Sequence, residues 1–199
     1  MSKTVVVVES PGKVSKISGF LGSNYVVTAS KGHILTLPRL GYGFKDLNSD
    51  FEVIYELMSH RKKEIATIRK LYKTHKSIII ATDNDAEGCA IGFHICRILN
   101  LDWRKARCAI FNEITKSAIV NAVQNLQPMN ELLYRSQQAR RLIDRSIGYL
   151  VSPSVRKHIN GGVSAGRCQS VALKLISDRC KIFNFSSITN FYKINFELL

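Results

Sequence analysis

The chain has 199 residues, 45% hydrophobic and 22% charged, which excludes a disordered polymer and leaves room for one large domain or two small ones with a substantial core. Lys and Arg number 29 against 15 Asp and Glu, a formal net charge of +14, so the partner is expected to be a polyanion, either nucleic acid or an anionic membrane surface. No apolar run approaches the roughly 20 residues of a spanning helix, the opening MSKTVVVVESPGK lacks the small-residue cleavage site of a signal peptide, and the cysteines (Cys89, Cys96, Cys108, Cys168, Cys180) have no CxxC spacing, so nucleic acid leads and a reducing compartment is expected.

In chain order, the β-branched run Thr4–Ser10 reads as a buried strand. Pro11-Gly12 follows, then a helix over Lys13–Leu21 with Val14, Ile17 and Phe20/Leu21 at helical spacing. Tyr25–Ser30 is a second strand leading into KGHILTLP. From Pro38 to about Ser59 periodicity is lost, and the segment reads as an excursion from the first domain. RKKEIATIRKLYKTH is a helix with Ile65, Ile68 and Leu71/Tyr72 inward and basic residues outward. Ser77–Thr82 is a strand, followed by an acidic loop and a helix carrying Ile91, Ile95 and Ile98 on one stripe. Ala106–Phe111 is a further strand, and Thr115 is placed to N-cap the next helix, with Ala118, Ile119, Ala122, Val123 and Leu126 inward. Strands alternating with helices predict an α/β fold, a mostly parallel sheet flanked by helices on both faces.

Beyond QNLQPMN the pattern changes. One long helix is expected from Met129 to about Val151, stopped by Pro153, and after Gly161-Gly162 a second helical run, VSAGRCQSVALKLISDRCKIF. The expected division is therefore 1–37 with 60–127 as the α/β domain, and 38–59 with 128–187 as a second, mainly α-helical domain. Residues 188–199 are read as the start of a further strand domain, and an opening strand at the end suggests a fragment of a longer protein.

The stretch IIIATDNDAEG places Asp83, Asp85 and Glu87 at alternate positions just past an apolar strand. Ligands of open α/β sheets bind at the carboxyl ends of strands, and clustered carboxylates are neutralised by a hard cation such as Mg²⁺. The competing reading is local: aspartates form turns, and a glutamate favours a helix N-terminus. Both stand on this loop alone. VVVVESPGK adds Glu9 and Lys13 at the end of the other apolar strand. If the two strands are neighbours, Glu9 joins the acidic cluster with its pKa raised, as a general acid requires, and Lys13 supplies a cation.

VVESPGK, GHILTLP, ATDNDAEGCAI, FNEITKSAI, QQARRLIDRSIGYLVSP and VSAGRCQSVALKLI, in this order over most of the chain, resemble the N-terminal part of a type IA DNA topoisomerase. They begin with its Toprim domain, the nucleotidyl-transfer fold shared with primases. The resemblance implies Mg²⁺-dependent, ATP-independent cleavage and religation of one DNA strand through a 5′-phosphotyrosine, relaxing negative supercoils. It implies Glu9 as acid and base at the 3′-oxygen, Lys13 at the scissile phosphate, His33 near the active site, and Glu9, Asp83, Asp85 and Glu87 as the metal set. Arg140 and Asp144 would seat the scissile strand.

Arg141 and Arg145, like charges four residues apart, fit an anion between them. Ser164, Arg167 and Gln169 open a helix whose N-terminus suits a phosphate. The expected partner is a single-stranded segment of DNA. A monomer is expected, in the cytoplasm, a nucleoid or a virus particle.

Two positions depart from the family pattern D-x-D-R-E-G-E: Ala86 stands for the arginine and Cys89 for the last glutamate. None of the seven tyrosines lies in the family's catalytic tyrosine motif, so this chain alone is expected not to cleave DNA. Two other readings remain: another Toprim enzyme, a primase or nuclease, and a non-catalytic DNA-binding module.

Overall fold

The structure, a computed structural model, describes residues 2–46, 51–161, 164–185 and Lys193. The chain divides into two compact units, Met1–Arg145 and Ser146–Leu199.

The first unit is built on a five-stranded sheet. Its strands are β1 (Thr4–Val8), β2 (Tyr25–Ala29), β5 (Ile78–Ala81), β6 (Arg107–Cys108) and β7 (Gln127–Pro128), in the order β2-β1-β5-β6-β7. All neighbours are parallel except β6 and β7. A second, two-stranded antiparallel sheet pairs β3 (Leu35–Thr36) with β4 (Glu56–Leu57). The excursion after Pro38 is thus a return loop between these strands, pinched by an antiparallel bridge between Phe44 and Val53.

The valines of β1 explain the layering. Side chains alternate along a strand, so Val5 and Val7 pack with Ile65 and Ile68 of α2 (Lys62–His75) and Ile91, Ile95 and Ile98 of α3 (Ala86–Ile98). Val6 and Val8 pack with Ile17 of α1 (Val14–Leu21) and Ile119, Ala122 and Val123 of α4 (Lys116–Gln124). All four valines are fully buried. A run with no polar face needs helices on both sides, which is the arrangement a parallel sheet adopts. Thr115 caps α4 by accepting from the Ala118 amide at 3.3 Å.

The central strand pair and its helices match expectation. The strand expected over Ala106–Phe111 is ordered as β only at Arg107–Cys108, and β7 was not foreseen. Two-residue strands carry no periodicity to read. The long helix α5 runs Glu131–His158 and continues through Pro153 instead of stopping there. An interior proline removes one ladder hydrogen bond and crowds the carbonyl one turn earlier, a cost of about 3 kcal/mol, which this helix of 28 residues bears without ending. In the second unit α6 spans Arg167–Phe185, and Ser152 ties the preceding turn, its Oγ accepting from the Ala165 amide at 3.1 Å. The strand expected at 188–199 falls, apart from Lys193, outside the described residues, as does Gly162. Among the described residues no helix is long and apolar enough to cross a membrane.

Two packing details stand out in α3 and the loop before it. An added Cβ on Gly88 would lie 2.1 Å from the backbone oxygen of Asp83, so only glycine lets the loop fold back onto the first turn of α3. On the same helix His94 is fully buried, with both ring nitrogens lacking a hydrogen-bond partner. Its ring centroid lies 4.9 Å from that of Tyr55 and 5.4 Å from that of His33. Burial, reinforced by His33, Arg141 and Arg97, pushes the His94 pKa down to about 3.

Gly88→Ala is expected to destabilise the chain by about 1–3 kcal/mol, read as a lower urea midpoint at unchanged m-value. His94 stays neutral in the fold while the unfolded chain takes up its proton near the ordinary value of 6.5, so between about 6.5 and 3 acidification favours unfolding. His94→Leu removes that uptake. Its gain in Tm over the parent chain is expected to widen as pH falls through this window, measured by thermal denaturation at stepped pH.

Candidate active site

Parallel pairing sets Val8 of β1 opposite Ala81 of β5. Both strands therefore end at the same, carboxyl end of the sheet, where Glu9 directly follows β1 and Asp83 follows β5 by two residues, near enough for the charge of Asp83 to bear on Glu9. Ser10 shapes the first loop: its Oγ accepts from the Gly12 amide at 3.3 Å, and Pro11 opens a short 3-10 turn ending at Lys13. The Lys13 ammonium is ion-paired to Asp83 Oδ1. Glu9's pKa is raised, by burial first and by the charge of Asp83 next, with Asp85 adding to this and Lys13 only partly offsetting it. Crowding by carboxylates acts in the expected direction, and desolvation is the larger cause.

Asp85 serves as the N-cap of α3, its Oδ1 accepting from the Gly88 amide at 2.7 Å. The helix-capping reading of this aspartate is thus realised, and one of its oxygens is committed. Ala86 and Cys89, the departures from the family pattern, lie in the first turn of α3. Burial raises the Cys89 pKa. Lys13, Asp83, Asn84, Asp85, Asn112 and Glu113 line a cavity of about 360 Å³.

Glu87 points elsewhere. Its Oε2 accepts from His33 Nε2 at 2.7 Å and from Gln137 Nε2 of α5 at 3.2 Å. His33 reaches it from the turn at Lys31-Gly32, where both residues have positive φ and the Gly32 amide donates to the Glu9 carbonyl at 3.2 Å. His33, Glu87, Gln137, Arg140, Arg141 and Asp144 line a cavity of about 340 Å³. The structure thus brings His33, Arg140 and Asp144 together with Glu87.

Arg141 and Arg145 are held by local acceptors. Arg141 Nη2 donates to Thr36 Oγ1 at 3.0 Å, and Arg145 Nη1 donates to the carbonyls of Pro38 at 2.8 Å and Gly41 at 3.3 Å. These bonds anchor α5 on the loop after β3. In the second unit, Arg167 is the first residue of α6 and is exposed, and Ser164 Oγ donates to Gln169 Oε1 at 3.4 Å.

Gln137, one of the few buried polar residues of the chain at 4% exposure, was missed as a site residue. Its place four residues before Arg141 and seven before Asp144 on one helix face was the signal available.

Among the described residues no three His, Cys, Asp or Glu side chains are gathered as a preformed metal site. The chemistry of the donors nevertheless fits Mg²⁺, which takes hard oxygen ligands, often only one or two carboxylates, and keeps several waters.

With this geometry in place, comparison with known proteins is informative. Residues 4–114 match the Toprim domain family, and residues 128–198 match the family described as DNA topoisomerase. DNA topoisomerase 1 of Campylobacter jejuni is 42% identical over 181 residues, covering 91% of this chain and 26% of that protein. The full-length topoisomerase I of Thermotoga maritima superposes with a TM-score of 0.82 at 40% identity, over 92% of this chain and 31% of that one. The chain thus spans about a quarter to a third of the length of these relatives. Matched by the Toprim family over residues 4–114 of its 199, the chain belongs to that family and carries it in the arrangement of a type IA DNA topoisomerase.

Proposed function

We propose that this chain supplies the acid–base and metal-binding half of a site that cleaves and reseals one DNA strand. The observation that carries the reading is the adjacency of Glu9 to Asp83 and Asp85 at the carboxyl end of the sheet, with Glu9's pKa raised there by burial and by the charge of Asp83. A carboxyl whose pKa is raised is a better-placed proton donor: in its protonated form it can give its proton to the 3′-oxygen as it leaves phosphorus, and the carboxylate so formed can take the proton back on resealing. Lys13, fixed beside Asp83, stabilises charge on the scissile phosphate.

Asp83 and Asp85, with Glu9 and Glu87, would hold Mg²⁺, which supplies charge neutralisation at phosphate oxygens when bound. His33, Arg140 and Asp144 seat the strand on the cavity they share with Glu87. Arg141, Arg145, Ser164, Arg167 and Gln169 extend the nucleic-acid contact. In this division residues 1–37 and 60–127 do the metal and proton chemistry, and 38–59 with 128–187 grip DNA.

The whole protein is read as a monomeric, ATP-independent enzyme. It acts on a single-stranded segment of negatively supercoiled DNA and relaxes it through a 5′-phosphotyrosine, in a reducing compartment where the five free cysteines persist. The nucleophile is not among the tyrosines described. Tyr134, for example, has its phenol pKa raised by burial, which suits a packing role in its stack on Phe93 (centroids 3.8 Å apart).

The purified chain is expected to yield no covalent adduct with labelled single-stranded DNA, scored on a denaturing gel; an adduct would overturn the division of labour. In a polypeptide that carries the nucleophilic tyrosine, Glu9→Gln is expected to slow cleavage about 10²- to 10⁴-fold while DNA affinity, measured by anisotropy, stays unchanged. Loss of affinity with unaltered cleavage would instead favour a binding module. Cleavage that needs no tyrosine would favour another Toprim enzyme.

A further inference from the structure

We propose that Gln137 is a positioning residue for Glu87, holding that carboxylate against His33 and apart from Asp83 and Asp85 while no metal is bound. The inference rests on the reading of Asp83, Asp85 and Glu87 as Mg²⁺ ligands.

Each carboxylate of the loop has a separate partner: Asp83 has Lys13, Asp85 caps the Gly88 amide, and Glu87 accepts from both His33 and Gln137. Three like charges that would repel if gathered are in this way dispersed. Gln137 is the informative member because its amide is buried at 4% exposure, while its Oε1 has no hydrogen-bond partner. A buried amide satisfied on one side only is unfavourable compared with an apolar side chain of the same volume. What distinguishes it from Met or Leu at this position is the N–H that reaches Glu87.

Glu87 also has room to move. Its side chain is 49% exposed and borders the cavity of about 340 Å³ on the α5 side. A divalent cation at Asp83 and Asp85 would provide the counter-charge that draws Glu87 from this clamp. The strength of the clamp is then subtracted from the metal affinity, as for any ligand that must shift a conformational equilibrium. Gln137 thereby links the metal loop to the helix that carries Arg140 and Asp144.

The test is Mg²⁺ titration by calorimetry on the purified chain without DNA. Gln137→Met, which keeps the volume and removes the donor, is expected to bind Mg²⁺ about threefold to tenfold more tightly than the parent, the range of one partly exposed hydrogen bond to a carboxylate. An unchanged or weaker Kd overturns the proposal, and a purely structural role would lower Tm without moving Kd.

The doubly substituted chain Asp83→Asn, Asp85→Asn separates the two readings. If it still binds Mg²⁺ as the parent does, the metal assignment itself falls. If binding is lost there yet Gln137→Met matches the parent, only the role of Gln137 falls. The parent chain gives an independent measurement. Saturating Mg²⁺ is expected to shift the His33 Nε2 resonance as Glu87 leaves it, and an unmoved resonance in the metal-bound chain overturns the proposal.

Discussion

The register between β1 and β5 is the constraint on which the rest of the site depends. Val5 to Val8 pair in parallel with Ile78 to Ala81, so two chain segments about 70 residues apart in sequence finish side by side. Parallel neighbours cannot be joined by a tight turn and require a long crossover. Here the crossover contains α1, β2, the β3–β4 excursion and α2. A slip of one residue would turn the valines that face α2 and α3 toward α1 and α4, and the reverse. It would also part Lys13 from Asp83. The core and the site are therefore set by the same hydrogen-bond ladder.

At the edge so formed, the electrostatic problem is an excess of carboxylates, and it is handled by separating them. Lys13 takes one, a helix N-terminus takes the second, and His33 with Gln137 takes the third. Glu9 is half-buried, and its pKa is raised first by that burial and then by the charge of Asp83.

Arg141 and Arg145 bond to Thr36 and to the carbonyls of Pro38 and Gly41, and Gln138 bridges the hydroxyls of Tyr55 and Tyr134, so this face fixes the helix to the loops around it. Arg140, Arg141 and Asp144 line the cavity beside Glu87. Along their own helix Arg141 and Arg145 repel one another. Carbonyl oxygens from an irregular loop can offset the same charge, and no sequence pattern marks them.

By itself the sequence determined what depends on side-chain character and local spacing. These are the fully apolar strand that demands two helical layers, the Thr115 cap, the carboxylates at a strand end, and the family to which the chain belongs. Only the tertiary structure decided which strands are adjacent, that Glu87 turns to His33 and Gln137 and not to the aspartates, that α5 continues through Pro153, and that β7 completes the sheet. Those outcomes rest on contacts between residues tens of positions apart, with energies comparable to the local preferences they override. A reading confined to neighbours along the chain contains no term for them.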